Sequence, residues 1–256
     1  VHTYSGHDSI ALVDVSGDQW PVKLIQGDDF YMQPAWHPGG DRIAWIAWNP
    51  PNMPWDGTHL RMGHLDFSSG ATPRIGGIEE VAGGDQVSVC QPEFSPDGRM
   101  LAYISDEGGW WQLYLLDLDT RQKNRITHVE AEHALPHWVQ GMRSYGFSPN
   151  GEFIYFTRYQ SGFAQLFRCR LSTGEEQHIP IDEQYAWFEQ LAVAPEGDRV
   201  AVIASGGRVS TQIIECRLDG SVSVRARSAA DDIPMDYYPV PKPVTWRGGD
   251  GGRVHG

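Results

Sequence analysis

The chain has 256 residues, with 33 Asp and Glu against 20 Lys and Arg, for a formal net charge of −13 at pH 7. The length allows a sizeable core, and the acidic balance excludes a nucleic-acid binder, which needs excess Lys and Arg to displace phosphate counterions. No apolar run approaches the roughly 18 residues of a membrane span, and no secretory signal is visible in the sequence, so neither nucleic acid nor a membrane is an expected partner.

The elements recur in two alternating kinds. Residues 10–16 read IALVDVS, an apolar residue, four variable positions, then Leu or Val and a small polar residue. Residues 36–45 read WHPGGDRIAW, a Pro-x-Gly turn between apolar flanks. The first kind returns as LRMGHLD (60–66), LYLLDLD (113–119), LFRCRLS (166–172) and IIECRLD (213–219). The second returns as FSPDGRMLAY (94–103), FSPNGEFIYF (147–156) and VAPEGDRVAV (193–202). The turn prolines, Pro38, Pro96, Pro149 and Pro195, are 58, 53 and 46 residues apart, each with Gly two positions on and Ile43, Leu101, Ile154 or Val200 five positions on. Pro presets the first turn dihedral and Gly supplies the positive φ that closes it. Two interleaved motifs on one period are the signature of a repeat architecture.

The segments between turns are short and rich in Val, Ile, Leu, Tyr, Phe and Trp, which suits strands. A unit of about 45–50 residues with roughly four strands matches a propeller blade. The fold class is therefore all-β: a β-propeller of four-stranded antiparallel blades. In the blade with its turn at Pro96, strands are expected near 89–94, 100–105, 112–118 and 122–127, with Phe94, Tyr103, Leu113 and Leu115 filling the space between sheets. Four copies of one motif and five of the other predict four blades plus a half blade that lacks its first two strands. The Pro-, Asp- and Tyr-rich residues after 225 read as a linker, so the chain is expected to be a fragment.

Three cysteines leave an odd one. Cys169 and Cys216 occupy equivalent places in successive blades, roughly 10 Å apart between stacked sheets, too far for a disulfide. Free thiols and a reducing compartment, the cytoplasm, are expected.

Candidate chemistry is sparse. GFSPN (146–150) falls short of the nucleophile elbow G-x-S-x-G, and Ser148 aligns with Ser95 at a turn, so it reads as a turn residue. His128, His133 and His137 cluster, but Pro136 breaks the helical geometry that H-E-x-x-H requires. LDLDTRQ lacks the third acid and the Gly of a calcium loop. No metal or cofactor is called for. Three stretches depart from the minimal repeat: 50–58, 75–87 and 130–145. The last gathers carboxylates, an Arg, a Trp and Gly, a composition typical of binding loops on a rigid scaffold; the alternative is a packed excursion with Trp138 pinned in the core.

NMPWDGTHL (52–60), LPHWVQGMRSYGF (135–147) and PKPVTWRGGDGGRVHG (241–256) resemble the propeller of prolyl oligopeptidase family serine peptidases, in the dipeptidyl-aminopeptidase/acylaminoacyl-peptidase branch. The Pro-x-Gly repeat itself is shared with TolB-like propellers. The resemblance implies a seven-bladed propeller over an α/β-hydrolase domain that supplies Ser, Asp and His. Residues 1–230 would form the partial propeller, and 231–256 the linker and first strand into the hydrolase. No catalytic residue carries over to this chain. Its implied role is gating and positioning of short peptides in the cavity between the two domains. In an aminopeptidase a carboxylate should pair with the peptide ammonium. Glu132 is the candidate, with Trp138 as an apolar wall and Arg143 as a clamp on a carbonyl or carboxylate. The rival is a non-enzymatic TolB-like propeller that binds a protein partner.

Overall fold

The computed structural model describes residues 2–4, 7–68, 72–229, 234 and 237–255. The chain forms two compact units, Val1–His128 with Pro136–Met142, and Val129–Leu135 with Arg143–Gly256. In the first, β1 (His2–Tyr4), β2 (His7–Leu12) and β3 (Val22–Ile25) make a three-stranded sheet. Two four-stranded sheets follow: β4 (Phe30–Trp36), β5 (Arg42–Trp48), β6 (Thr58–Asp66) and β7 (Arg74–Gly84), then β8 (Val89–Phe94), β9 (Met100–Ser105), β10 (Gln112–Asp117) and β11 (Lys123–Arg125). The second unit holds two more, β12 (Tyr145–Phe147), β13 (Phe153–Gln160), β14 (Phe163–Arg170) and β15 (Glu175–Ile179), then β16 (Trp187–Val193), β17 (Arg199–Gly206), β18 (Val209–Arg217) and β19 (Val222–Arg227). A hairpin of β20 (Thr245–Arg247) and β21 (Arg253–His255) comes last. Each sheet is antiparallel with its strands in chain order, the meander of a propeller blade.

The expected strands of the Pro96 blade coincide with β8 and β9 and nearly with β10 and β11. One expectation needs correction. The first sheet has three strands, one more than a half blade, because residues 2–4 pair with β2. Residues 75–84, within a stretch that departs from the minimal repeat, are strand: β7 runs eleven residues along β6, with one register shift beside Gly76 and Gly77 and a second at Val81. The expected boundary at 230/231 and Gly256 lie outside the described residues.

Packing explains why the strands read as apolar runs. Along β5, Ile43, Trp45 and Ala47 enter one core with Ile10, Ile25 and Tyr31, while the intervening Ala44 and Ile46 enter another with Leu101 and Tyr103. Successive side chains point to opposite faces of a strand, so a sheet packed on both faces must be apolar throughout. In the second unit, Tyr155, Leu166 and Ile179 meet Val200, Val202 and Ile214 in one core. The other face of the β16–β19 sheet is mixed, with Ile213 exposed and an ionic cluster in which Glu215 binds Arg225 at 2.6 Å and Arg199 at 3.2 Å. The Arg225 guanidinium, before all else, holds the Glu215 carboxyl below its usual range.

The four Pro-x-Gly turns close the first hairpin of each four-stranded sheet in the same way. The residue before each Pro accepts from the Gly N–H: His37 from Gly40 (2.8 Å), Ser95 from Gly98 (2.9 Å), Ser148 from Gly151 (2.9 Å), Ala194 from Gly197 (3.2 Å). Those glycines have φ of 71°, 72°, 70° and 109°. Ser148 Oγ accepts from Phe153 N at 2.9 Å and donates to Asn150 at 2.7 Å, as Ser95 does with Met100 and Asp97. It is a turn residue. Cys90, Cys169 and Cys216 are free and buried, and burial pushes the Cys169 thiol up to about 11 and Cys216 to about 12.

Adjacent turns also touch. His37 Nε2 donates to the Gly98 carbonyl at 2.9 Å, and a Cβ on Gly98 would lie 2.4 Å from that nitrogen, whereas one on Gly40 meets nothing. Both substitutions to Ala incur the left-handed backbone cost of about 1–2 kcal/mol; only Gly98→Ala adds the steric clash. Thermal melts should therefore rank wild type above Gly40→Ala above Gly98→Ala, with steps of several degrees.

Candidate functional site

Within each four-stranded sheet, the Pro-x-Gly turn and the turn between third and fourth strands share one end. The opposite end carries the second-to-third-strand loops and the crossovers, and the irregular sequence is concentrated there. In the first unit this end includes residues 49–57 and 106–111 and the segment Pro136–Met142. Trp138 is 66% exposed and its ring lies 4.4 Å from that of Trp55. It is not pinned in the core; it forms half of an aromatic pair open to solvent, with Val139 and Met53 also exposed. The segment is held by amides. Gln140 donates to the Tyr31 carbonyl at 2.9 Å, and Gln33 donates to the Met142 carbonyl at 3.3 Å. The Gln33 side-chain oxygen in turn accepts from Gln91 N at 2.6 Å.

Gln33 and Gln91 share an unusual conformation. Each has positive φ (51° and 48°) at a bulge in the first strand of its sheet, as does Gln190 (55°) in β16. All three stand five residues before the turn proline; Ser144 takes that place in the sheet that begins with β12. A non-Gly residue in this region costs of order 1–3 kcal/mol and persists where the surroundings impose it. Here the bulge turns a backbone N–H out of the sheet: Gln91 N reaches Gln33, and Leu191 N reaches the Arg143 carbonyl at 3.1 Å. The Gln that recurs five residues before three of the four turn prolines is a signal readable in the sequence.

In the second unit, Val129–Leu135 lies along β13. Glu132 forms an isolated antiparallel bridge with Tyr159, N to O at 3.2 Å and O from N at 2.7 Å. Its neighbours Ala131, His133 and Ala134 are buried, so Glu132 is the partly exposed residue of a fixed segment. Beneath it Arg158, with a side chain 5% exposed, donates to His133 Nε2 at 3.0 Å and to Glu176 at 2.6 Å. Its guanidinium stacks over the Phe167 ring at 4.2 Å. That contact occupies His133 Nε2 as a hydrogen-bond acceptor. Among the described residues no group of three His, Cys, Asp or Glu is placed to hold a metal ion. Arg143 is exposed and precedes β12. Of the three sequence-derived site residues, Glu132 and Arg143 belong to the second unit and Trp138 to the first.

The model of the TolB beta propeller domain (PD40) matches residues 2–235. The chain belongs to this family. Within the TolB propeller family it is similar to larger proteins named as peptidases. It is 28% identical over 166 residues to dipeptidyl-peptidase 5 of Porphyromonas gingivalis, covering 62% of this chain and 22% of that protein. It is 27% identical over 168 residues to the uncharacterized peptidase YuxL of Bacillus subtilis, covering 63% of this chain and 23% of that protein. Among solved structures, a puromycin-hydrolyzing peptidase of Mycobacterium tuberculosis matches with a TM-score of 0.81 and 27% identity, over 94% of this chain and 35% of that one. The TolB propeller described here thus spans about a third or less of these relatives. No helix among the described residues is long and apolar enough to cross a membrane.

The Arg158 network makes a prediction. Glu176→Ala removes the carboxylate from a buried guanidinium and should cost about 1.5–3 kcal/mol in urea unfolding. Glu176→Gln, which keeps an acceptor, should cost less. Amide exchange at Glu132 should accelerate more in the Ala variant than in the Gln variant.

Proposed function

We propose that this chain is the substrate-gating and substrate-positioning propeller of a serine peptidase that cleaves short peptides or acyl-peptides. The observation that carries the reading is the match to the puromycin-hydrolyzing peptidase, which extends over 94% of this chain rather than over isolated repeats. In this proposal residues 1–230 are the propeller and residues 231–256 lead into an α/β-hydrolase domain, whose Ser, Asp and His perform the chemistry. The propeller end that carries the long loops faces the cavity, excludes large folded proteins and admits short chains.

Glu132 accepts the free ammonium of the substrate. Its backbone is fixed by the Tyr159 bridge and by the His133–Arg158 contact behind it, so little conformational entropy is lost when it binds. Arg143 clamps a substrate carbonyl or carboxylate, and Trp138 with Trp55 offers an aromatic wall. The match to the TolB domain model favours a second reading, a non-enzymatic propeller that binds a protein partner.

In the protein that joins this propeller to its hydrolase domain, Glu132→Gln should lower kcat/KM for free-amine peptides by roughly 10- to 150-fold, the equivalent of one charge-assisted contact of ~1.5–3 kcal/mol. N-acylated peptides bring no ammonium and should be unaffected. Equal effects on both substrate classes would leave residues 130–145 with a packing role alone.

A further inference from the structure

The second unit contains a groove of about 680 Å³ that none of the candidate residues occupies. It lies at the long-loop end of its two sheets. One edge is the β13–β14 hairpin, which follows directly on the Glu132–Tyr159 bridge, and the other is the β17–β18 hairpin at Gly207 and Arg208. Its volume is within the 300–1,000 Å³ typical of ligand sites.

The groove has a distinct chemical character on each side. Its floor is Leu166, Ile179, Tyr185 and Phe188, all buried. The polar atoms near this floor are already engaged: Tyr185 Oη bonds Gln212 at 3.0 Å, and the Phe188 carbonyl accepts from Tyr159 Oη at 2.6 Å. The floor therefore presents carbon. Gln160 and Gln184 line its sides, and their amides can both donate to and accept from a peptide backbone. A further wall is the chain's own segment around Val240, Pro241 and Pro243, and Glu183, His178 and Arg208 also line the groove. Prolines have no N–H, so this wall offers ring carbons and carbonyl acceptors. It is also seated closely: a Cβ on Gly207 would come within 2.4 Å of the Pro239 carbonyl oxygen and 2.7 Å of Pro241.

We propose that this groove is a binding site for an extended peptide segment bearing one large apolar or aromatic side chain. The side chain fills the floor, and the flanking amides bond the glutamines and the carbonyls of the proline wall. The inference rests on the reading that the propeller handles peptides, and it assigns selectivity for a side chain rather than for the terminal ammonium.

The test uses this chain and two blocked tripeptides, N-acetylated and C-amidated, with Phe or Gly at the centre, titrated by calorimetry. The Phe peptide should bind saturably at one site and the Gly peptide at least tenfold more weakly, since a missing apolar group in a pocket discriminates on that scale or better. Gln184→Trp, at an exposed rim position, should abolish binding with an unchanged melting temperature. Gly207→Ala, which displaces the proline wall, should weaken it at least fivefold and serves where the Trp variant does not fold. Equal binding of the two peptides, no saturable binding, or full binding in a folded variant would overturn the proposal. Blocked peptides lack the ammonium and need no hydrolysis. Binding here, with no peptidase activity in the protein that joins this propeller to its hydrolase domain, would thus remove the enzymatic reading alone, and peptidase activity of that protein without binding here would remove the groove alone.

Discussion

Burial of both faces of a sheet is the constraint from which the rest of this molecule follows. Trp45 and Ile46 are adjacent in β5, yet each is buried in a different core. A strand used this way cannot alternate apolar with polar residues, and its ends are the only places where sequence can vary freely. Half of those ends are taken by the Pro-x-Gly turns, which are short and repeat almost unchanged, and by the turns between third and fourth strands. Variation is left to the other end of each sheet, where residues 49–57, 130–145 and 180–186 lie, and where recognition has room to develop.

That division explains what could be read in advance. Pro38, Pro96, Pro149 and Pro195 marked the blades because a tight turn needs particular dihedrals, and few residues supply them. Strand limits followed from the turns, so β8 and β9 were placed to the residue. The long β7 stood out from the repeat because Gly76, Gly77, Gly83 and Gly84 carry no side chain to mark a strand; in the sheet Gly76 and Gly77 flank a register shift, and Gly83 and Gly84 pair with His59 and Thr58. The bulges at Gln33, Gln91 and Gln190 were missed for a related reason: Gln is not a residue normally associated with positive φ, and only its recurrence five residues before the turns marks it.

The candidate site was legible only in part. Composition pointed to residues 130–145, and the structure shows why that stretch resists simple reading. Its first part is fixed to β13 through Glu132, His133 and Arg158, and its later part is held to the first unit through Gln33 and Gln140. These are long-range contacts, made to residues dozens of positions away, and no local pattern encodes them. The buried Arg158 appears in sequence as one more arginine on a strand. Its stacking on Phe167 and pairing with Glu176 are properties of the sheet. The groove beside it is likewise assembled from four separate stretches of chain.

In the proposed role, a propeller over a hydrolase site would act by exclusion before it acts by recognition: a short peptide would pass the long-loop end, and a folded protein would not. The most direct measurement is the ratio of kcat/KM for one cleavable sequence presented as a free peptide and as a loop of a stable folded protein, made on the protein that joins this propeller to the proposed hydrolase domain. The account predicts ready cleavage of the peptide and no detectable cleavage of the folded substrate, with cleavage restored when that substrate is unfolded. Comparable rates on the peptide and the folded protein would contradict it.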